Sequence, residues 1–231
     1  MTIDFHSHIL PGVDHGSKNT NEASKQLELI ASGGTDIVVA TSHFYPHVHR
    51  AEEFLGAVNN AATKLADLAK PLGLKICLGA EVLLCDGINK MPDFEKLCIR
   101  GTKVILIEMP STGSWNNLIN TVEDIIDSGY TVVLAHIDRY LKNYEDQIDI
   151  LLRNGALAQV NADSLSSFFS RKKVMEYIDA GCVYALGSDL HGADKKSYQA
   201  FVSLKKHIGA DNYEKIMSRA AKLLENAEFI N

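Results

Sequence analysis

Short apolar runs of strand length alternate along the chain with longer stretches whose apolar residues recur at helical spacing. The runs predict strands at Thr2–His8, Asp36–Ser42, Lys75–Val82, Lys103–Met109, Thr131–His136, Leu157–Asn161 and Val183–Gly187. They are rich in Ile, Val and Leu, the pattern of parallel strands covered on both faces. Between them, Asn21–Ser32 carries Ala23, Leu27 and Ile30 on one stripe, and Glu52–Leu68 carries Leu55, Val58, Ala62, Leu65 and Ala66. Further helices are expected at Asn117–Asp127, Ile148–Asn154, Ser170–Ala180, Ala193–His207 and Asn212–Ala227, several closed by glycine. The β–α alternation predicts an α/β chain built on a parallel sheet, open or closed into a barrel. Seven strands in 231 residues suggest a small or distorted barrel rather than an eightfold one. With no internal repeat or linker, residues 1–231 are expected to form a single domain.

Composition narrows the function classes. A chain 46% hydrophobic and 23% charged is that of a folded, soluble protein. Its net charge of −6 argues against general nucleic-acid binding. The start, Met1-Thr2-Ile3-Asp4-Phe5-His6, lacks a signal-peptide pattern, and no run is long enough to span a bilayer, so a cytoplasmic protein without membrane insertion is expected. Cys77, Cys85, Cys98 and Cys182 show no metal-knuckle spacing and read as reduced thiols; none is followed by the arginine of a phosphocysteine loop.

The candidate chemistry lies where these strands end. His6 and His8, two apart on a strand, point to one face and can reach one ion. His43, Glu81, Glu108, His136, Asp189 and His191 stand at or just after other strand ends, and Asp14 follows the first strand. Buried carboxylates need a partner, few Lys or Arg residues occupy equivalent places, and shared cations would satisfy the groups together. Imidazole with carboxylate and no thiolate suits Mn, Fe or Zn, and the number of donors points to two or three ions. In such a site a bridging water loses a proton near neutral pH and becomes a nucleophile. Three divalent ions would carry roughly six positive charges against four carboxylates, which suits an anionic group such as a phosphomonoester. Arg139, three residues after His136, is placed to hold phosphate oxygens. His15 could be a ligand, a proton donor or an exposed loop residue; Trp115 could pack on an aromatic substrate or in the core.

The segment Asp4-Phe5-His6-Ser7-His8-Ile9-Leu10-Pro11-Gly12-Val13-Asp14 resembles the opening of the polymerase and histidinol phosphatase (PHP) superfamily, especially its bacterial capsule-biosynthesis tyrosine-phosphatase branch. The likeness continues through Ala40-Thr41-Ser42-His43-Phe44, Gly79-Ala80-Glu81-Val82, Leu106-Ile107-Glu108, Leu134-Ala135-His136-Ile137-Asp138-Arg139-Tyr140 and Gly187-Ser188-Asp189-Leu190-His191. It implies a distorted (β/α)7 TIM-like barrel (PHP fold) with a trinuclear, manganese-favouring site. By that resemblance His6, His8, Glu81 and Asp189 hold one ion; Glu81 bridges to a second completed by Glu108 and His136. Asp14, His43 and His191 hold a third, and Arg139 binds phosphate. The implied partner is the phosphotyrosine tail of a polysaccharide-assembly tyrosine kinase. The expected mechanism is attack on phosphorus by a metal-bridged hydroxide, with ordered water or His15 protonating the leaving phenolate. Self-association is left open. The chain departs from the branch at Asp14-His15-Gly16, where Asp-Asp-Gly is usual, and at Ser42, Ile137-Asp138 and Leu190. Competing expectations are a PHP or TatD-like phosphoesterase for a small metabolite or a nucleic-acid end, and an inactive metal-stabilised interaction module.

Overall fold

A computed structural model describes the backbone of residues 1–166 and 168–230, and their side chains except at 166, 168–170 and 197. The strands are β1 (Ile3–His8), β2 (Ile37–Phe44), β3 (Lys75–Leu83), β4 (Val104–Glu108), β5 (Thr131–Leu134), β6 (Leu157–Asn161), β7 (Val183–Gly187) and the short β8 (Leu190–His191). They form one sheet in the order β7-β6-β5-β4-β3-β2-β1-β8 with parallel pairings. The two ends of that order are consecutive in the chain. β8 continues β7 across Ser188 and Asp189, pairs with β1, and Asp189 N–H donates to His6 O at 2.8 Å. The sheet therefore curls until β7 meets β1 at the carboxyl rim, the distorted sevenfold barrel expected from the sequence, with β8 unforeseen.

The helices are α1 (Thr20–Ser32), α2 (Ala51–Ala69), α3 (Asn116–Asp127), α4 (Glu145–Arg153), α5 (Ala162–Ser166), α6 (Phe168–Asp179), α7 (Lys195–Val202), α8 (Leu204–Ile208) and α9 (Ala210–Leu223). Asn19 caps α1, its side-chain oxygen accepting from Glu22 N–H at 3.0 Å. The predicted stripe of Ala23, Leu27 and Ile30 is buried; on α2, Phe54, Ala61 and Ala69 join Val58, Ala62 and Leu65. Burying each such leucine contributes about 1.5–3 kcal/mol.

The stretch expected as one helix from Ala193 to His207 is two. The Ser203 hydroxyl donates back to Gln199 O at 2.8 Å, and the chain restarts at Leu204. That side chain competes for a backbone acceptor where the first helix ends. Trp115 is core: it is 1% exposed, its Nε1 donates to Pro110 O at 3.0 Å, and its ring lies flat on Tyr144. Among the described residues no helix is long and apolar enough to cross a membrane.

Candidate metal centre

Strand register brings the rim groups together. His43 on β2 pairs with Glu81 on β3, Leu83 pairs with Glu108 on β4, and His8 on β1 pairs with His191 on β8. Between Asp4 and Ser7, β1 advances three residues while β2 advances two, from Val38 to Ala40. This bulge re-aims the strand at His6. The outcome is the shared face expected for the pair, with His6 Nε2 and His8 Nε2 only 3.1 Å apart.

Two further ligand candidates are aimed by uncommon backbone. His136 has φ +31° and Asp189 φ +49°; with Asp93 they are the non-glycine residues at positive φ among those described. Such conformations cost of order 1–3 kcal/mol and persist where surrounding structure enforces them. The first turns the chain out of β5 into a short 3-10 turn, Ile137–Arg139, and the second marks the β7–β8 kink. A side chain at Gly187 would place its Cβ 2.5 Å from His6 Cβ, so only glycine lets β7 approach β1 this closely.

Glu81 is the hub. It is fully buried, and its Oε2 lies 2.8 Å from His43 Nδ1, 3.2 Å from His6 Nε2 and 3.3 Å from His8 Nε2. Its Oε1 lies 2.7 Å from His136 Nε2. Glu108 approaches His43 Nδ1 at 3.9 Å and His136 Nε2 at 3.8 Å, and Asp189 Oδ1 is 3.2 Å from His8 Nε2. Asp14 Oδ2 accepts from His8 Nδ1 at 2.8 Å and from His43 N–H at 3.0 Å, so it orients the His8 ring with Nε2 inward. His191 stacks on His8 at 4.0 Å and on His15 at 4.6 Å, and His15 stacks on His43 at 4.7 Å. Arg139, with its side chain 49% exposed at the mouth, pairs through Nη2 with Asp189 Oδ2. The structure thus gathers every residue singled out for this site.

The electrostatics fit missing positive charge. Burial opposes ionisation of Glu81, yet His6, His136 and His43 outweigh it and hold its pKa well below the carboxylate range. Burial, reinforced by the Glu81 charge, pushes Glu108 up to about 7. Burial also disfavours charged His6, but Glu81 and Asp189 more than offset it and raise its pKa. His191 is lowered to about 4 by burial and by the nearby His8 charge, leaving a neutral imidazole, the ligand form. Two ring nitrogens facing each other can share only one proton. His43 Nδ1, Glu81 Oε2 and His191 Nε2 are buried without a hydrogen-bond partner. Three sets, His6–His8–Glu81, His43–Glu81–Glu108 and His8–His43–His191, each bring ligand atoms within 4.8 Å of one another. These orphaned donors fit divalent cations of the nitrogen–oxygen-preferring kind.

Sequence reasoning missed the supporting amides on β6. Gln159 Oε1 accepts from His136 N–H at 2.7 Å and lies 3.1 Å from His6 Nδ1, fixing that ring with Nε2 inward. Gln159 Nε2 donates to Asn161 Oδ1 at 3.0 Å, and Asn161 Nδ2 donates to Asp189 Oδ2 at 2.9 Å. The signal was present: two amides at alternate positions in the apolar run Leu157-Ala158-Gln159-Val160-Asn161. Asp4 is a further support: its buried Oδ1 accepts from Ser188 N–H at 2.8 Å and pins the kink.

Half-buried Asp138 accepts from Asn161 N–H at 2.9 Å, and desolvation pushes its pKa up to about 7. A carboxyl raised from 3.8 in this way carries no penalty while protonated in both states; the penalty grows as pH rises through 4–7. In metal-free protein, Asp138→Asn is therefore expected to be neutral at pH 4 and stabilising by about 1–2 kcal/mol at pH 8, after discounting for solvent screening. Denaturant melts at the two pH values check this, and an equal effect at both contradicts it.

Comparison with known proteins places the chain in a family. The chain is similar to the tyrosine-protein phosphatase CpsB of Streptococcus pneumoniae, 29% identical over 228 residues that cover 90% of this chain and 91% of the relative. It is similar also to the tyrosine-protein phosphatase YwqE of Bacillus subtilis (strain 168), 25% identical over 235 residues, covering 97% and 92%. The solved structures of YwqE from B. subtilis and CpsB from S. pneumoniae, described as unique metal-dependent tyrosine phosphatases, share the fold: TM-score 0.84, 23% identity, 98% of this chain and 96% of the other covered. Histidinol phosphate phosphatase from Lactococcus lactis, solved with zinc, shares it more distantly, with TM-score 0.58, 13% identity and 90% and 94% covered. The family model for capsular polysaccharide synthesis, CpsB/CapC, matches residues 2–225, and the chain belongs to that family.

Proposed function

We propose that this chain is a metal-dependent protein-tyrosine phosphatase acting, in the cytoplasm, on the phosphotyrosine tail of a polysaccharide-assembly tyrosine kinase, with manganese as its preferred ion. The observation that carries the reading is Glu81 Oε2, buried with imidazole nitrogens of His6, His8 and His43 within 3.3 Å. Family membership ties the chain to capsular polysaccharide synthesis, and the names of the relatives supply the reaction and substrate class.

In this reading His6, His8, Glu81 and Asp189 would hold one ion, Glu81, Glu108 and His136 a second, and Asp14, His43 and His191 a third. Bound divalent cations would activate water and offset the negative charge of the phosphoryl group. Arg139 supplies a planar fork to the phosphate oxygens and stabilises the charge that develops on them. Its Asp189 partner and the Asn161 amide keep the fork at the rim. Gln159 holds His6 in one tautomer, and Asp14 does the same for His8. His15 is exposed and stacked on His43 and His191, and burial and the His43 charge lower its pKa. From that place at the rim it can pass a proton to the leaving phenolate.

The test is turnover of a phosphotyrosyl peptide, histidinol phosphate and a 5′-phosphorylated DNA end by the manganese-loaded protein. The peptide is expected to be the preferred substrate by kcat/KM, with activity lost to a chelator and restored by manganese. Preference for the metabolite or the DNA end would assign the site to another phosphoesterase. Inactivity towards all three with several ions would leave an interaction module.

A further inference from the structure

Past the last ligand on β2 the chain turns an aromatic ring toward the mouth of the site. Side chains alternate along a strand, so Tyr45 shares the face of His43 while Phe44 turns away onto Phe54 of α2, at 5.2 Å between ring centroids. The Tyr45 ring centroid lies 5.1 Å from that of His43 with the planes 20° apart. His15 stacks on the same His43 ring at 12°, so the rings form a run from His191 through His15 and His43 to Tyr45.

Tyr45 is held in place. Its carbonyl accepts from Val48 N–H at 2.9 Å and His49 N–H at 2.8 Å, and its own N–H donates to His49 Nδ1 at 3.1 Å. The His49 ring in turn packs at 6.0 Å from both Phe44 and Phe54. A tight turn anchored in the apolar layer thus presents a half-buried phenol beside the carboxylates. Burial and the charges of Glu108, Glu81, Asp14 and Asp189 push its pKa up to about 12, so the ring stays neutral. Among the described residues, the other large rings near the rim are otherwise engaged. Trp115 and Tyr140 are buried, the Tyr140 hydroxyl donates to Met109 O at 2.7 Å, and Tyr144 lies against Trp115 at 4.2 Å.

We propose that Tyr45 is a specificity-determining residue: its ring packs against the phenyl ring of a phosphotyrosyl substrate whose phosphoryl group lies among the ligand side chains. The inference rests on the phosphatase reading and adds to it the group that separates aryl from alkyl phosphates. One aromatic pair changes an affinity about threefold to tenfold, and an alkyl ester offers no ring to receive it. An ion site selects phosphate; the ring beside it selects what the phosphate is attached to.

Calorimetry on the manganese-loaded protein tests this without turnover, using phenylphosphonate and methylphosphonate, whose carbon–phosphorus bonds are not hydrolysed as esters. The readout is the ratio of the two association constants, which a general disturbance of the site does not move. Tyr45→Ala is expected to lower the phenyl-to-methyl ratio about threefold to tenfold, and Tyr45→Phe to keep it, since phenylalanine retains the ring. A ratio unchanged in Tyr45→Ala overturns the proposal, as does a ratio lost equally in Tyr45→Phe, which would make the hydroxyl the contact. If the wild-type protein binds neither phosphonate, the phosphatase reading fails and the inference falls with it.

Discussion

Glu81→Ala is expected to strip the protein of its bound ions and lower aryl-phosphate turnover by more than about 1,000-fold. The carboxylate is fully buried and stands within 3.3 Å of the ring nitrogens of His6, His8, His43 and His136. No other carboxylate on the rim reaches so many of them. Its loss removes a ligand shared by two of the donor sets and leaves His6 without its main counter-charge. Breaking such a buried arrangement costs about 3–5 kcal/mol, so the metal-free variant should also melt earlier than the metal-free wild type. Elemental analysis after gel filtration, paired with thermal melts in chelator, separates the two effects. A variant that keeps the full metal complement would show that Glu81 is an ion-pair residue rather than a ligand.

Arg139→Ala is expected to act on turnover alone, lowering kcat for an aryl phosphate about 100- to 1,000-fold with little change in bound metal. The side chain is half exposed, so its removal opens no core cavity. It does release Asp189 Oδ2, but that oxygen also accepts from Asn161 Nδ2 at 2.9 Å and stays oriented. Arg139→Lys should fall between the two, keeping charge but not the two-pronged geometry. Activity surviving in Arg139→Ala would remove the assigned phosphate-binding role; loss of metal together with activity would make Arg139 a support for Asp189.

Much of this centre was legible because the fold writes it in a simple form. A parallel barrel strand is apolar until it leaves the sheet, so a histidine or carboxylate at its end stands out, as His43, Glu81 and His136 do. Register then converts sequence position into contact: His43 meets Glu81 because β2 and β3 pair at those residues. What stayed hidden depended on side chains whose chemistry is common elsewhere. Gln159 and Asn161 look like ordinary strand polars until β6 is seen to face His6 and Asp189. The kink at Asp189 follows from a left-handed backbone at a residue that carries no glycine signal, so β8 could not be separated from the loop. Trp115 follows a loop of small polar residues, and only its packing on Tyr140 and Tyr144 shows that it turns inward. The helix break at Ser203 rests on one hydroxyl choosing a backbone carbonyl.

The shared-cation centre is tested most directly by anomalous scattering from crystals of the protein grown with manganese. Two or three peaks are expected among His6, His8, His43, Glu81 and Glu108, with neighbouring ions about 3.5–4 Å apart and Glu81 oxygens touching more than one. An absence of ordered ions at Glu81 in crystals whose protein still hydrolyses an aryl phosphate would contradict it.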